Sequence, residues 1–180
     1  MISNIKDHVI IKDNFFNDEV YKKIIYDISH TKFESRSATA ESYGNTEHCQ
    51  KIYFFTFLDK NHFAVQEVYK ILKNYGFNNL TSTSLDHGYF LSAKHKEATP
   101  HVDGVDLNCL VYLKGNEAIN SGTGFYDKTE KDYVLNRHIG FRENRAIIFD
   151  SKILHGSLQF NEGAGPRYVM SNFFRYKESV

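Results

Sequence analysis

From residue 81 to residue 176 the chain alternates short β-prone segments with turn signals. Glycine-containing turns at Gly115, 121–124 and 162–166 separate segments that are rich in branched and aromatic residues. Many short strands at this spacing are typical of a β-sandwich, a jelly roll or a barrel. The predicted strands cover residues 81–93, 99–103, 107–113, 123–127, 132–140, 145–150, 154–160 and 167–176.

The first 80 residues carry two amphipathic helical patterns instead. Asn17 is a candidate N-cap for the first helix. The second helix runs from Asn61 to about Tyr75, and Gly76 is placed to end it in the left-handed conformation. Each pattern has an apolar stripe at helical spacing, which predicts packing against a sheet rather than a cofactor site. The other elements predicted in this half are strands at 8–12 and 50–58 and a polar surface loop at 34–50.

Length and composition favour one folded domain. The chain has 180 residues and a hydrophobic content of 41%, which allows a sizeable core. We therefore expect a single domain over residues 1–180, in which an all-β unit at 81–180 is supported by a region of helices and strands at 1–80. The sequence carries no indication of oligomeric state.

Charge and apolar patterning argue against several classes of partner. Acidic and basic residues balance at 22 each, with no basic stripe, so no nucleic-acid partner is expected. The apolar runs are far shorter than the ~20 residues of a membrane span, and the N-terminus lacks the pattern of a secretory signal. Cys49 and Cys109 are predicted to be free thiols in a reducing compartment. We therefore expect a cytoplasmic protein without a membrane partner.

Three residues form a candidate metal-ligand set. His101 and Asp103 lie two apart in a strand-like segment, so their side chains should project from the same face, about 7 Å apart. His155 lies at the start of a later predicted strand. Two histidines and one carboxylate are the ligand set of non-haem Fe(II) oxygenases, which leave other metal positions open. Zinc is the competing metal for the same set.

A His-x-Asp pair alone is weak evidence, because a chain with nine histidines produces such a pair by chance. The interpretation depends on the order of His101, Asp103, His155 and then Arg167 along β-rich segments. Other potential ligands have simpler explanations. These are His95 in an exposed Lys-His-Lys loop, His138 in a hairpin, Asp106 in a turn and Asp150 at the end of a strand.

The motifs over residues 85–176 resemble those of the 2-oxoglutarate- and Fe(II)-dependent dioxygenases, nearest in style to the prolyl 4-hydroxylase branch. The resemblance implies a mainly β fold with flanking helices: a double-stranded β-helix (jelly roll) core, with N-terminal α-helices packed on one sheet. It rests on Tyr89, Pro100-His101-Val102-Asp103, Leu110-Val111-Tyr112-Leu113, Ser121-Gly122-Thr123-Gly124-Phe125, Asn144-Arg145-Ala146-Ile147-Ile148-Phe149-Asp150, His155 and Arg167.

The same resemblance implies roles for individual residues. His101, Asp103 and His155 would bind Fe(II). Arg167 would hold the distal carboxylate of 2-oxoglutarate, for which its planar guanidinium is suited. Tyr112 would donate to that carboxylate, and Tyr89 would lie near the metal-bound end of the cosubstrate.

The implied reaction is hydroxylation of a C–H bond of a peptide or small-molecule substrate. It would use O2, with ascorbate as an optional reductant, and would be coupled to decarboxylation of 2-oxoglutarate to succinate. Val102 and the apolar strands would keep the site dry. Segments 34–50 and 127–142 are candidate gates for the substrate.

The chain also departs from the family pattern. Ser121-Gly122 replaces a Gly-Gly turn, which requires a negative φ at Ser121. The loop from Tyr89 to His101 is about two residues longer than in the nearest family pattern, which weakens the assignment of Tyr89. Two alternatives therefore stay open: a cupin-like metal-binding protein that does not use 2-oxoglutarate, and a non-catalytic jelly-roll interaction protein.

Overall fold

The computed structural model describes residues 8–38, 51–92, 100–117, 121–159 and 166–177. Its two helices are α1 (Asp18–His30) and α2 (Phe63–Asn74). The strands are β1 (Val9–Lys12), β2 (Glu34–Ala38), β3 (Lys51–Phe57), β4 (Leu80–Thr81), β5 (His87–Ser92), β6 (Leu107–Lys114), β7 (Ser121–Lys128), β8 (Tyr133–Gly140), β9 (Arg145–Asp150), β10 (His155–Gln159) and β11 (Arg167–Tyr176).

The strands form two antiparallel sheets. The large sheet has the order β1-β9-β6-β11-β5-β3-β2, with β4 paired to β11, and the small sheet has the order β10-β7-β8. From β6 onward the chain passes from the large sheet to the small one, back at β9, across again at β10 and back at β11. This path confirms the predicted mainly β fold with a jelly-roll core and flanking helices.

The two faces of the large sheet bury separate apolar clusters. Side chains alternate along a strand, so Cys109, Val111 and Leu113 of β6 face the helices, whereas Tyr112 faces the small sheet. The helix-side cluster includes Ile24 of α1 and other apolar residues of both helices. The helices therefore pack on one sheet, as predicted, and the other face of that sheet is left to form the space between the sheets.

The helix ends follow the sequence signals closely. Asn17 caps α1, because its side chain accepts a hydrogen bond from the backbone N–H of Val20 at 2.9 Å. Gly76 follows α2 with φ +93°, the left-handed conformation that was predicted. The second helix begins at Phe63 with His62 as its N-cap, two residues later than predicted.

Three predicted segments differ from the structure. The expected loop at 34–50 begins with strand β2, which pairs with β3; residues 39–50 lie outside the described part of the chain. The expected strand at 99–103 is reduced to a single bridge at His101, while residue 99 lies outside the description. The candidate gate at 127–142 is largely β8, a paired strand rather than a loop.

The segment between β1 and α1 is hydrogen-bonded to the turn between β8 and β9. Asn144, with φ +56°, accepts from the backbone N–H of Phe16 at 2.9 Å and donates to the carbonyl oxygen of Phe16 at 2.8 Å. Beside it, Arg145 donates to both carboxylate oxygens of Asp13, at 2.6 and 3.0 Å. These contacts continue the pairing of β1 with β9.

Two further features are the buried cysteine and the length of the helices. Cys109 is a free thiol on the helix side of β6, and burial raises its pKa; Cys49 lies outside the described residues. Neither described helix is long and apolar enough to cross a lipid bilayer.

Candidate metal centre

Backbone pairing brings His101 and His155 together. Each residue's N–H donates to the other's carbonyl oxygen at 3.0 Å, so the two form an antiparallel bridge. Residues paired in this way project their side chains from the same face of a sheet. The two imidazole rings accordingly lie with centroids 4.7 Å apart. The register that joins these histidines could not be read from the sequence.

Asp103 completes the cluster. Its Oδ2 lies 3.2 Å from Nε2 of His155, and its Oδ1 lies 3.8 Å from Nε2 of His101. One ligand atom from each of the three residues lies within 4.8 Å of the others, a spacing at which they could hold a metal ion. The structure therefore brings together the three residues that the sequence proposed as ligands.

The tautomer of His155 suits a metal ligand. Its Nδ1 lies 2.8 Å from the carbonyl oxygen of Ile153, which can only accept, so Nδ1 must carry the proton. In a neutral imidazole Nε2 then has a free lone pair, and this atom faces the carboxylate of Asp103. A lone pair and a carboxylate oxygen at 3.2 Å repel each other unless a proton or a cation lies between them. The donor set therefore fits a divalent metal.

The cluster lies at the edge of the buried space between the sheets. His155 is 5% exposed, whereas the side chains of His101 and Asp103 are 33% and 23% exposed. Burial alone would raise the pKa of Asp103. With His155 and His101 protonated, as they are when no metal is bound between them and the carboxylate, the hydrogen bonds from His155 and Asn108 and the charge of both imidazoles outweigh burial and hold that pKa below the usual range. Asp103 is thus a carboxylate at neutral pH, ready to bind a cation.

Asn108 is a contact of the cluster that the sequence analysis missed. It lies on β6, fully buried, and its Nδ2 donates to Oδ2 of Asp103 at 2.6 Å. A signal was present in the sequence: Asn108 is a polar residue within an apolar strand, four residues before Tyr112 and therefore on the same face.

Arg167 is a buried cation deeper between the sheets. It begins β11 and is 3% exposed. Its Nη1 donates to Oγ of Ser121 at 2.9 Å and to the carbonyl oxygens of Gly122 and Leu158, both at 3.1 Å. Leu158 follows His155 by three residues on β10, a rise of about 10 Å along the strand. The guanidinium of Arg167 and the imidazole of His155 therefore both lie beside β10 of the small sheet, although Arg167 itself belongs to the large sheet.

Tyr112 lies on the inner face of β6, between the sheets. Its hydroxyl is 2.7 Å from Oγ1 of Thr123 and donates to the carbonyl oxygen of Ile139 at 3.4 Å. Burial raises the pKa of Tyr112 to about 12, although the Thr123 contact and the charge of Arg167 oppose the rise. Tyr112 is therefore a neutral hydroxyl in the same space as Arg167.

Tyr89 points to the opposite face of the large sheet. It is fully buried in the helix-side cluster, and its hydroxyl donates to Oδ2 of Asp27 on α1 at 3.0 Å. His62 at the start of α2 contacts both residues: its Nε2 is 3.3 Å from the same Asp27 oxygen, and its ring packs edge-on against that of Tyr89. The structure does not bring Tyr89 to the metal cluster, because successive residues of β5 face opposite sides. Its neighbour Phe90 therefore projects from the other face of β5, where its ring stacks with that of Phe55.

The remaining candidates lie outside the cluster. Asp106 accepts from the N–H of Tyr176 at 2.8 Å, and Asp150 accepts from that of Lys152 at 2.8 Å, which is the turn role expected for Asp150. His138 is on β8, where burial lowers its pKa, and His95 lies outside the described residues. Val102 is 50% exposed and does not shield the site as expected.

Comparisons with known proteins address the fold. No family model matches the chain, and neither does any curated protein. A prolyl hydroxylase from Trichoplax adhaerens, solved with a hypoxia inducible factor peptide fragment, aligns with a TM-score of 0.63 at 11% identity over 97% of this chain and 86% of its own. A prolyl-4-hydroxylase from Pseudomonas putida gives 0.60 at 11% identity over 98% and 95%.

A third solved structure is HygX from Streptomyces hygroscopicus, solved with nickel, 2-oxoglutarate and hygromycin B. It aligns with a TM-score of 0.64 at 9% identity over 96% of this chain and 84% of its own. The chain thus has the fold shared by prolyl hydroxylases and other 2-oxoglutarate–Fe(II) oxygenases. The resemblance stated from the sequence is confirmed at the level of fold.

Proposed function

We propose that the chain is a 2-oxoglutarate- and Fe(II)-dependent dioxygenase that hydroxylates a substrate C–H bond and converts 2-oxoglutarate to succinate. The observation that carries the proposal is the cluster of His101, Asp103 and His155 at the edge of the space that also buries Arg167. A metal site alone would serve several functions. A buried guanidinium along the same sheet supports a cosubstrate that has a carboxylate at each end.

Each residue then has a defined task. His101, Asp103 and His155 would hold Fe(II) with one ligand atom each, and a ligand set of this kind leaves other metal positions for a chelating cosubstrate and O2. Arg167 binds the distal carboxylate of 2-oxoglutarate, and the Tyr112 hydroxyl donates a hydrogen bond to the same group in place of its long bond to the Ile139 carbonyl. The Ile153 carbonyl keeps the proton of His155 on Nδ1, so that Nε2 remains a ligand.

The bound iron would supply the redox chemistry that O2 and 2-oxoglutarate require, and the protein supplies binding and orientation. Arg167 is buried among backbone carbonyls of β7 and β10, so its charge acts in a medium with little water. A dicarboxylate bound there would be held by Arg167 at one end, and its keto acid end would remain available to chelate the metal. His101 and Asp103, being partly exposed, face the side from which a substrate enters.

The proposed substrate is a peptide or a small molecule. One similar structure holds a peptide and another holds hygromycin B. The balanced charge of the chain favours neither and argues against nucleic acid. We retain the single domain over residues 1–180 and the cytoplasmic location as part of the proposal.

Succinate formation tests the proposal. Purified protein is incubated with Fe(II), ascorbate, O2 and 2-oxoglutarate, and succinate and CO2 are measured. We expect slow release without substrate and none from His101→Ala. His30→Ala, an exposed histidine on α1, is the matched control and should behave as wild type. Release from wild type no greater than from His101→Ala would retire the dioxygenase proposal.

The Arg167→Lys variant separates this function from a cupin-like site. We expect weaker 2-oxoglutarate binding, because lysine cannot pair with a carboxylate in the two-donor geometry, and unchanged metal affinity. Calorimetric titration with 2-oxoglutarate and with Mn(II) gives the two quantities separately. Iron-dependent turnover that is indifferent to Arg167 would favour the cupin-like alternative instead.

A further inference from the structure

Asn108 occupies an unusual place for a polar side chain. It is 0% exposed on β6, opposite Phe149 of β9 and Phe173 of β11. Its face of the large sheet is the one that carries Tyr112 and looks toward the small sheet. An apolar residue would be the ordinary occupant of such a position, so the amide needs an explanation.

In the described part of the chain, the amide of Asn108 has a hydrogen bond at its nitrogen but none at its oxygen. Nδ2 donates to Oδ2 of Asp103 at 2.6 Å, and this orientation of the amide follows from chemistry, because a carboxylate can only accept. Oδ1 is buried and has no hydrogen-bond partner within the described part of the chain. A buried carbonyl without a partner lowers stability. The amide is therefore better explained by what it does to Asp103 than by packing.

We infer that Asn108 is a positioning residue, which orients Asp103 so that it binds the metal through one carboxylate oxygen. The inference rests on the proposed function. The hydrogen bond engages Oδ2 and prevents the carboxylate from rotating, which leaves Oδ1 on the side of His101. A carboxylate that binds through both oxygens takes an additional position on the metal. A dioxygenase needs that position for its cosubstrate or for O2.

Asn172 provides a matched control. It is also 0% exposed and lies on the neighbouring strand β11, but its amide contacts Nδ1 of His87 and the carbonyl oxygen of Cys109 on the helix side of the sheet. Replacing either asparagine by leucine removes a buried amide of the same size. Only the change at position 108 removes a contact to a metal ligand.

The experiment compares Asn108→Leu with Asn172→Leu, using Co(II) as a spectroscopic probe of the metal site. Calorimetry measures the affinity for Co(II), absorption reports the coordination of the metal, and titration with 2-oxoglutarate follows. We expect Asn108→Leu to lose 10- to 100-fold in Co(II) affinity, a magnitude typical for partners of metal ligands. Its spectrum should also shift toward a higher coordination number. Asn172→Leu should keep the wild-type spectrum and affinity.

Asn108→Ser, which restores a short donor, should recover part of the affinity. If the leucine variant does not fold, Asn108→Ala, which removes the donor without adding bulk, replaces it. Wild-type spectrum and Co(II) affinity in Asn108→Leu, or in Asn108→Ala should the leucine variant not fold, would overturn the inference. A metal effect in a protein whose Co(II) complex does not bind 2-oxoglutarate would keep the positioning role and reject the dioxygenase. Failure of the positioning role and failure of the dioxygenase proposal therefore give different results.

Discussion

Gly122 and Gly140 face each other in the β7–β8 ladder, yet their tolerance for a side chain is opposite. Gly122 has φ +155°, and a Cβ there would lie 2.0 Å from the carbonyl oxygen of Ile139. A Cβ on Gly140 would meet nothing within 4 Å. We expect Gly122→Ala to lose more than about 3 kcal/mol of unfolding free energy and Gly140→Ala to change it by less than about 1 kcal/mol. Urea unfolding of both variants checks this, and similar values would contradict the steric argument.

Asp86 should make stability depend on pH. Burial alone would raise its pKa, but hydrogen bonds from Thr83 and Arg175, at 2.6 to 2.9 Å, outweigh burial and lower it below 3.8. A lowered folded-state pKa contributes stability that is complete above the unfolded value and is lost as pH falls through the folded one. We expect Asp86→Asn to cost about 2 kcal/mol at pH 7 and progressively less below pH 4, measured by urea unfolding. If the loss of unfolding free energy in Asp86→Asn did not change with pH, it would not come from the lowered pKa of Asp86.

The residues of the candidate site were predictable to different degrees. His101, Asp103 and His155 stand out because their residue types and order already specify a ligand set. Tyr89 lies on the helix side of the large sheet, away from the cluster, and this could not be read from the sequence because a strand's two faces are equivalent until its neighbours are known. Asn108 acquires its meaning only from the fold, which places it beside Asp103.

At the scale of elements, the turn before β9 depends on Asn144. Its positive φ of 56° is tolerated by asparagine and glycine, and its side chain makes two buried hydrogen bonds with Phe16. We expect Asn144→Gly to lose about 2 kcal/mol for the two bonds. Asn144→Ala should lose about 1–2 kcal/mol more for the left-handed backbone. Thermal and urea unfolding give both values. An alanine variant as stable as the glycine variant would contradict the predicted cost of the left-handed backbone.

The elements were predictable where their periodicity is strong. Both helices have apolar stripes that bury Ile24 in α1 and Val68 in α2, and the later strands are short β-prone segments bounded by turn signals. Strand β2 was missed because Glu34–Ala38 is polar and pairs with β3 through its backbone. The segment at 99–103 was overestimated, because only His101 finds a bridging partner there.

For the whole molecule, metal binding should raise thermal stability. A ligand at 100 times its Kd that binds only the folded state adds about 2.7 kcal/mol, which is about 5–10 °C in Tm for a chain of this size. We expect this rise with Mn(II), its reversal by a chelator and its absence in His155→Ala, since that residue is a proposed ligand. His30→Ala should retain the rise. An equal rise in His155→Ala would place the metal elsewhere.

The division of the chain at residue 80 does not coincide with a division of the sheets. Strands β1, β2 and β3 come from the first 80 residues and extend the large sheet at both of its edges. The positions of these three strands could not be predicted from the jelly-roll pattern of the later half. Which edge of a sheet a distant strand joins depends on burial across the whole molecule. The overall class was nevertheless predictable from the recurring short strands and the flanking helices.

The pairing of β1 with β9 also constrains how the protein is made. Val9 is opposite Phe149, so β1 must wait for a partner that is synthesised about 140 residues later, on the order of ten seconds at ordinary rates of translation. Until then, Ile10 and Ile11 have no sheet to join, and the β9 edge of β6 stays open. The large sheet is therefore completed late in the synthesis of each chain. Nascent chains that end before β9 has been synthesised lack the strand with which β1 pairs.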